Sequence, residues 1–424
     1  MNQPPSIVDQ ASAAAARDWV STEEATRLLG VKRETLYAYA SRGLVTSAPA
    51  PGHSSRSRVY SRADIERLRA RSQARAGHGP VAASALRWGD PVLETRIGSI
   101  GPSGPVYRGR VAVELAREGV SFEEVCTLLW EAPFRSDEDQ GARHLGAPVA
   151  HLRALLRPRA APFEGMLVAA GALAAAEQHA EASLDVARMR APTLLRRLVA
   201  ASGLRNGGAA VTASLEAKNT ARALLLALGG RTTAASMAAL DEALILSADH
   251  ELNPSTFAAR VAASAGASLP ACMMAALGSL SGSRHGGATA RVEAFLAEVA
   301  RPERGAAAIG ARLARGDSVP GFGHPFYPDG DPRGARLLEV AQRIGGKTLA
   351  LRTVTSVVEA MALVARERPT LDIGLVALAA ALRLPVGAAL AIFACGRLAG
   401  WIAHAIEQRS QRFVLRPRAR YIGP

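Results

Sequence analysis

A histidine and an arginine suited to ligand chemistry lie within one Gly- and Pro-rich stretch, DSVPGFGHPFYPDGDPRG, at residues 317–334. The glycines and prolines exclude a helix interior or a central strand, so the stretch is predicted to be an ordered loop. Holding a loop in one shape costs roughly 1 to 2 kcal/mol of backbone entropy per residue, which is best tolerated where the loop presents groups to a ligand. His324 can donate a hydrogen bond, and the Arg333 guanidinium can grip a carboxylate. The loop is therefore a candidate ligand site, with a structural turn as the alternative.

Metal chemistry is not expected from the remaining histidine and cysteine pattern. His250 and Glu251 begin an H-E-x-x-H pattern, but Pro254 stands where a zinc helix needs its second histidine. Cys126, Cys272 and Cys395 are far apart and match no metal-ligand spacing. These cysteines are predicted to be buried thiols in a reducing compartment.

Further motifs lie on both sides of the loop. They are ADHELNPSTFAARV at 248–261, GSRHGGA at 282–288, LDIGLVALA at 371–379, GRLAGWIAHAIEQ at 396–408 and LRPRARYIG at 415–423. In this order, and together with the loop, they resemble the citrate synthase family. The resemblance covers residues 88–424 and implies an all-α homodimer, with a large domain at 88–285 and 389–424 and a small mobile domain at 286–388. The Ala-rich runs and the scarcity of aromatic residues independently favour a mostly helical protein.

The resemblance implies a reaction that uses no metal or cofactor. In that reaction the methyl carbon of acetyl coenzyme A joins the keto carbon of oxaloacetate, and the thioester is then hydrolysed. The methyl proton is weakly acidic, so a base must remove it while other groups stabilise the enolate and polarise the ketone. Asp372 matches the family's base, His285 the residue that hydrogen-bonds the thioester carbonyl, and His324 the donor to the oxaloacetate carbonyl. Taken alone, Asp372 would be a helix N-cap, and the helix N-terminus is expected to lower its pKa.

The substrate-binding residues are also implied by the resemblance. His250, with Asn253 beside it, matches the oxaloacetate-binding histidine. Arg333, Arg397 and Arg416 match the arginines that hold the two carboxylates, and Arg416 is expected to reach in from the partner subunit. Without the family pattern, Arg397 and Arg416 would be charges on a solvated helix face and a tail. The backbone of Val319, Pro320, Gly321, Phe322 and Gly323 is expected to lie against the adenine end of coenzyme A, whereas Trp401 and His404 are predicted to be structural.

Two departures from the family pattern lie close to these motifs. Arg284 precedes His285, where it could disfavour the imidazolium or form a salt bridge away from the site. The turn GPSG at 101–104 is shorter than the acidic turn usual in the family.

Hinges for domain closure are expected at Gly286, Gly287 and Pro385.

The stretch 18–73 has a different character. Ser21 and Glu24 are spaced as a capping box that opens a helix, which Gly30 ends. A second helix is predicted from Lys32 to Ser41, followed by a basic loop, a short strand and a third helix. This helix-turn-helix pattern resembles a MerR-like domain.

DNA binding is one function that this pattern would serve. Arg33, Thr35 and Tyr37 on the second helix would face the groove, and Arg56 and Arg58 would approach phosphates. The alternatives are that the domain only packs on a neighbour or binds protein, or that it mediates assembly.

Composition sets wider bounds. The 424 residues allow two or three domains, and the net charge of +14 favours polyanionic partners such as nucleic acid or a phosphorylated cofactor. Residues 1–17 are predicted to be disordered and 74–87 to be a linker. The start has no basic stretch followed by a long apolar one, and the apolar runs look too short to span a bilayer, so we expect a cytoplasmic protein.

Two functions follow from these observations. The first is a synthase that makes citrate from acetyl coenzyme A, or 2-methylcitrate from propionyl coenzyme A. The alternative is a DNA-binding transcription regulator whose synthase-like domain senses a metabolite.

Overall fold

The structure is a computed structural model that describes residues 19–50, 58–66, 68, 93–135, 144–177, 179–346, 348–419, 421 and 423. The chain divides into two compact units, Met1–Glu94 and Thr95–Pro424. The predicted disordered start at 1–17, the predicted linker at 74–87 and Arg56 lie outside the described residues.

The first unit combines helices with a three-stranded antiparallel sheet. Its strands are β1 (Trp19–Ser21), β2 (Ser47–Pro49) and β3 (Arg58–Ser61), in the order β1-β3-β2, and its helices are α1 (Thr22–Leu29) and α2 (Arg33–Ser41). Residues 62–66 are also helical. Val20, Ala25, Leu36, Val45, Tyr60 and Ile65 form the buried core. The predicted helix-turn-helix is therefore present, and the sheet supports it.

The start of α1 differs in detail from the predicted capping box. The hydroxyl of Ser21 accepts a hydrogen bond from the Glu24 backbone N–H, as predicted. The carboxylate of Glu24 accepts a hydrogen bond from Arg62 instead of turning back to the cap. The reciprocal half of the box is therefore replaced by an ion pair. At the other end, Gly30 adopts a left-handed φ of 65°, which suits glycine as a helix stop.

The second unit begins with a small sheet and continues as a helical assembly. Strands β4 (Gly98–Gly101), β5 (Gly104–Tyr107) and β6 (Arg110–Val111) form an antiparallel sheet, and Gly101 pairs with Gly104 across the shortened GPSG turn. Gly104 has a φ of 106°, a conformation that glycine adopts without strain.

Helices make up most of the second unit. In chain order they are α3 (Ala112–Arg117), α4 (Phe122–Trp130), α5 (Val149–Ala154), α6 (Pro162–Ala176), α7 (Leu184–Ala201), α8 (Gly208–Leu215), α9 (Thr220–Leu228), α10 (Ala234–Ser247), α11 (Pro254–Ser264), α12 (Leu269–Leu280), α13 (Gly287–Val299), α14 (Gly305–Ala314), α15 (Pro332–Gly345), α16 (Leu349–Val364), α17 (Leu371–Ala381) and α18 (Ala388–Ser410). Short 3-10 turns lie at Leu204–Asn206 and Pro302–Arg304. The prediction of a mostly helical protein is confirmed.

Helix α18 is the central helix of the second unit. It is 23 residues long and nearly all of its side chains are buried, including those of Arg397 and His404. By length and hydropathy it would pass as a membrane span, but 89% of that segment is buried inside the protein. We interpret it as a core helix that carries polar groups to the site.

The predicted division of this unit into large and small domains at residues 286 and 389 stays a prediction.

Candidate active site

The predicted ligand loop places His324 in a defined tautomer. The backbone N–H of Phe326 donates to Nδ1 of His324 over 3.2 Å. Because Nδ1 accepts this bond, the proton of the neutral ring lies on Nε2. Burial, with the nearby Arg333 charge, lowers the pKa of His324, so the ring is neutral at pH 7. His324 is thereby arranged to donate one hydrogen bond from Nε2.

His250 and His324 meet around Tyr327. The two imidazole rings stand edge to face with centroids 5.5 Å apart, and Nε2 of His250 lies 2.9 Å from the hydroxyl of Tyr327. Burial lowers the pKa of His250 well below its usual value, and Arg333 and Arg397 lower it further. The structure thus brings two predicted site histidines together as neutral hydrogen-bonding groups.

Arg333 is held by a residue that we did not predict from the sequence. Nε and Nη2 of Arg333 each donate over 2.9 Å to the two carboxylate oxygens of Asp331, a bidentate ion pair. The guanidinium also lies over the Tyr327 ring, 5.3 Å from its centroid. Asp331 and Arg333 are 1% and 3% exposed. This pairing orients the guanidinium and leaves Nη1 for another acceptor.

Arg397 is a buried guanidinium with a different environment. Nε donates over 2.7 Å to the carbonyl of Ser247, and the group stacks 4.6 Å from the Phe393 ring centroid. Within the described part of the chain, no carboxylate lies within ion-pair distance of Arg397. Burial lowers the pKa of Arg397 to about 10, while Asp249 opposes this effect. A buried cation without an ion pair favours an anionic ligand.

His285 belongs to a hydrogen-bonded group around Ser255. The Ser255 hydroxyl donates to Oδ1 of Asn253 over 2.7 Å and accepts from the Trp401 indole over 3.2 Å. Nε2 of His285 lies 2.8 Å from the same hydroxyl oxygen. Because the one hydroxyl proton is directed at Asn253, His285 must be the donor here, which leaves Nδ1 unprotonated.

This tautomer bears directly on the predicted role of His285. To donate a hydrogen bond from Nδ1 to a thioester carbonyl, the neutral ring needs the other tautomer. That tautomer forms when the Ser255 hydroxyl turns from Asn253 towards Nε2. Asn253 tolerates the change because its Oδ1 also accepts the Thr256 backbone N–H at the start of α11.

The pKa of His285 is lowered to about 4, chiefly by burial and then by the charge of Arg397. The sequence expectation that Arg284 would be the disturbing cation, or would form a salt bridge, is wrong. Arg284 is exposed and forms no ion pair with a described residue. The unusual residue before His285 therefore does not set the pKa of the imidazole, which depends on burial and on Arg397.

Asp372 lies in the first turn of α17, where Thr370 is the N-cap. The lowered pKa expected from the helix terminus is wrong, because burial raises the pKa of this carboxyl and outweighs the nearby Arg333. Asp331 raises it further, whereas Arg291 acts in the opposite direction. A carboxylate with a raised pKa is a stronger base than an exposed one.

The segment Val319–Gly323 packs against the chain that leads into α17. The carbonyl of Gly321 accepts the Thr370 N–H over 2.9 Å, and Gly323 N–H donates to the carbonyl of Arg368. Val319 and Phe322 are buried, so only backbone and the Pro320 edge remain open. The loop expected to meet coenzyme A is therefore tied to the helix of Asp372.

The turn that carries His250 is fixed from α18. The N–H of Gly400 donates to the carbonyl of Ala248 over 3.0 Å. His404 lies 3.2 Å from the carboxylate of Asp249, and both are buried. The predicted structural role of Trp401 and His404 stays a prediction, although both contact the residues that position the site.

Arg416 is not brought to the site in a single chain. It lies exposed in the C-terminal tail beyond α18, and the neighbouring Leu415 N–H is anchored to Ser264.

Tyr327, Asp331 and Ser255 were not predicted from the sequence. An Asp directly before Pro332, with Pro at the first helical position, is a helix-start signal that could have found Asp331. No comparable signal marks Tyr327 or Ser255, because their roles depend on contacts between distant segments. In the described chain, no group of three or more His, Cys, Asp or Glu side chains could hold a metal ion.

The first unit has its own exposed face. Arg33 and Tyr37 are exposed on α2, Thr35 is half-buried, and Arg58 is exposed at the start of β3. Arg33 forms an ion pair with Glu23, and Arg58 donates to Ser47. Both ion pair and hydrogen bond are solvent-exposed and therefore weak.

Taken together, the second unit offers neutral hydrogen-bond donors, two buried guanidinium groups and one carboxylate of raised pKa. Such a set can bind a dicarboxylate, polarise a carbonyl and remove a carbon-bound proton.

Both units of the chain are similar to known proteins. Residues 86–418 match the family described as citrate synthase, C-terminal domain, and residues 19–73 match a helix-turn-helix domain. The chain is 30% identical over 324 residues to citrate synthase 2 of Bacillus subtilis, covering 72% of this chain and 87% of that protein. It is 29% identical over 353 residues to 2-methylcitrate synthase of Shewanella oneidensis, covering 79% and 93%.

A solved structure gives the same fold. Citrate synthase of Thermoplasma acidophilum, in a ternary complex with carboxymethyl coenzyme A and oxaloacetate, matches with a TM-score of 0.68 at 24% identity. The match covers 79% of this chain and 94% of that chain. The predicted fold and both sequence resemblances are confirmed.

Proposed function

Because the chain belongs to the citrate synthase family, we propose that it condenses a short acyl coenzyme A with oxaloacetate and hydrolyses the thioester. The observation that carries this proposal is the buried Arg397, which lacks a carboxylate partner in the described chain and lies beside neutral histidines. A dicarboxylate supplies the missing negative charge. No cofactor is needed for this chemistry.

Each site group has a step in the proposed reaction. Asp372 removes a proton from the carbon next to the thioester carbonyl, while His285 donates to the carbonyl oxygen on which charge develops. The enolate then attacks the keto carbon of oxaloacetate, and His324 donates from Nε2 to the keto oxygen. His250, Asn253, Arg333 and Arg397 hold the keto acid. The backbone of Val319–Gly323 receives coenzyme A.

The acyl group is acetyl or propionyl. Relatives named as citrate synthase and as 2-methylcitrate synthase match the chain with similar identity. A thiol-release assay with each ester and oxaloacetate, against a control without oxaloacetate, tests the reaction and names the ester. Folded protein that binds oxaloacetate and releases no thiol from either ester would contradict the proposal and favour the metabolite-sensing regulator.

The base is tested by Asp372→Ala. Turnover should fall at least roughly 1,000-fold, because no other carboxylate is expected to replace the base. Oxaloacetate binding by calorimetry should persist and the melting temperature should change little. Full activity in this variant would show that Asp372 is not the base.

A homodimer in the cytoplasm completes the proposal. Arg416 is exposed in a tail of the single chain, so a second copy is the natural recipient of its charge. The three cysteines are free and buried, which suits a reducing compartment. A complex of two chains in light scattering, and a raised KM for oxaloacetate in Arg416→Ala, are expected.

We also propose that the first unit binds double-stranded DNA. The observation that favours this is the exposure of Arg33 and Tyr37 on the second helix of a helix-turn-helix, while Leu36 between them is buried. In a gel-shift assay with its own upstream DNA at low salt, Arg33→Ala should weaken binding. Absence of any shift by the intact chain would leave assembly as the role of this unit.

A further inference from the structure

Asp331 occupies an unusual place in this site because one buried carboxylate serves two helices. Oδ1 accepts from Nε of Arg333 and from its backbone N–H, over 2.9 and 3.1 Å, so it also caps α15. Oδ2 accepts from Nη2 of Arg333 and from the backbone N–H of Leu371, over 2.9 and 3.0 Å. Leu371 is the first residue of α17, next to Asp372.

The two helices also approach each other too closely for a side chain at their starts. A Cβ at Gly334 would collide with the carbonyl oxygen of Thr370, and one at Gly374 would lie 2.9 Å from Cβ of Leu337. A shift of α15 is therefore passed to α17 through backbone contact as well as through Asp331. The position of Arg333 and that of Asp372 are mechanically linked.

We propose that Asp331 is a positioning residue that couples the carboxylate-gripping Arg333 to the first turn of α17 and so to the base Asp372. The coupling deepens the proposed function and rests on it, because it assigns Arg333 to the keto acid and Asp372 to the proton. When a ligand carboxylate binds Nη1 of Arg333, the bidentate ion pair with Asp331 holds the guanidinium in place. The hydrogen bond from the Leu371 N–H to Asp331 keeps Asp372 in a fixed position relative to Arg333.

The charges around Asp372 predict how its pKa changes when Asp331 is replaced. Arg333 and Arg291 favour its ionised form, and Asp331 opposes it. Neutralising Asp331 removes a like charge and leaves the Arg333 charge uncompensated. Both changes make Asp372 ionise at lower pH.

The principal variant is Asp331→Asn, which keeps an oxygen to cap α15 but places an N–H group against Leu371 N–H and Nη2 of Arg333. We expect kcat to fall roughly tenfold or more, and the acid limb of its pH profile to move to lower pH by roughly half a unit. Asp331→Glu keeps the charge, so its acid limb should stay in place. A residue that only caps a helix would lower stability without lowering kcat, and the shift of the limb confirms that Asp331 is ionised beside Asp372.

Hydrogen exchange provides a test that does not depend on turnover. In the ligand-free protein, the Leu371 amide should exchange roughly tenfold faster in Asp331→Asn than in the wild type. Asp185→Asn is the matched control, since Asp185 also lies in a first helical turn and pairs with an arginine three residues on, but is exposed. It should change neither exchange at 371 nor the pH profile.

The outcomes separate the coupling from the reaction. If the wild type releases no thiol, the proposed function fails, and faster exchange at Leu371 still supports the link through Asp331. Unchanged exchange, or an active variant with the wild-type kcat and acid limb, overturns the inference. If Asp331→Asn does not fold, Asp331→Ser, which also caps a helix but has no carboxylate, takes its place with the same expectations.

Discussion

The hydroxyl of Ser255 controls which nitrogen of His285 carries the proton. It is fully buried between an amide oxygen, an indole N–H and the imidazole. An indole N–H can only donate, so one lone pair of the Ser255 hydroxyl accepts from Trp401. The hydroxyl proton can then be donated either to Asn253 or to His285. The reactivity of the histidine is thus set by a residue that need not touch substrate.

Ser255→Ala should lower kcat roughly 10- to 100-fold, with a smaller change in oxaloacetate affinity. The physical reason is that His285 loses the group that turns it into an Nδ1 donor, whereas the keto acid keeps its arginines. Steady-state kinetics and calorimetry check the two effects. Ser202→Ala, which removes a buried hydroxyl bonded to the carbonyl of Val199, is the control. Equal kcat in both variants would contradict the tautomer argument.

Neutral histidines set the pH range of the reaction. Burial lowers the pKa of His285 to about 4 and also lowers the pKa of His250 and of His324. Protonation of these rings therefore takes place below the usual histidine range. Between pH 7 and 8, no fall in rate is expected from a site histidine becoming charged.

At the scale of elements, one face of α18 holds the turn that carries His250. Arg397, Gly400, Trp401 and His404 repeat at helical spacing, and each contacts residues between Ser247 and Ser255. The glycine is the closest point of approach. A Cβ there would strike the carbonyl of Ala248 and lie 2.7 Å from Oδ1 of Asp249.

Gly400→Ala should destabilise the protein by about 1 to 3 kcal/mol through overpacking. It should also raise the KM for oxaloacetate, because the displaced turn carries His250. Gly310→Ala is the control, since position 310 lies within α14 and has open space around a Cβ. That change should stabilise by roughly 0.5 to 1 kcal/mol. Thermal melts and steady-state kinetics measure these effects. A Gly400→Ala protein with the wild-type melting temperature would show that the contact between position 400 and Ala248 tolerates a Cβ.

Sequence patterns located most of these elements but not their connections. The spacing of apolar residues correctly predicted the helix that contains Leu36, and the glycine signal correctly predicted the helix end at Gly30. Both signals depend only on neighbouring residues in the sequence. Glu24 turned out to bind Arg62, a residue brought near by folding. The direction of the pKa shift of Asp372 was predicted wrongly for the same reason, since burial depends on neighbours that no local pattern reveals. The roles assigned to the site residues by resemblance stay predictions.

At the scale of the whole molecule, a carboxyl outside the site responds to pH. Asp241 on α10 accepts the Phe122 N–H over 3.4 Å and faces Glu123 at the start of α4. Burial, followed by the charge of Glu123, raises its pKa to about 7. Between about pH 4 and 7 the folded protein thus keeps a proton that the unfolded chain releases.

Stability should therefore fall as pH rises through that window and level off above pH 7, since the folded state binds more protons. Asp241→Asn cannot ionise, so it should be more stable than the wild type at pH 8 by about 1 to 2 kcal/mol, allowing for partial exposure. At pH 4 the two should be alike. Melting temperatures at both pH values check this, with Asp317→Asn, an exposed aspartate, as the control. A difference that does not depend on pH would refute the assignment.

The burial of the three thiols has a practical consequence for measurement. Cys126, Cys272 and Cys395 are fully buried, and burial raises the pKa of each, to about 11 for Cys272. Because only thiolates attack disulfide reagents, the folded protein should react very slowly with an aromatic disulfide dye. The dye would then count coenzyme A released by turnover, and a late rise in its colour would report the moment at which the chain unfolds.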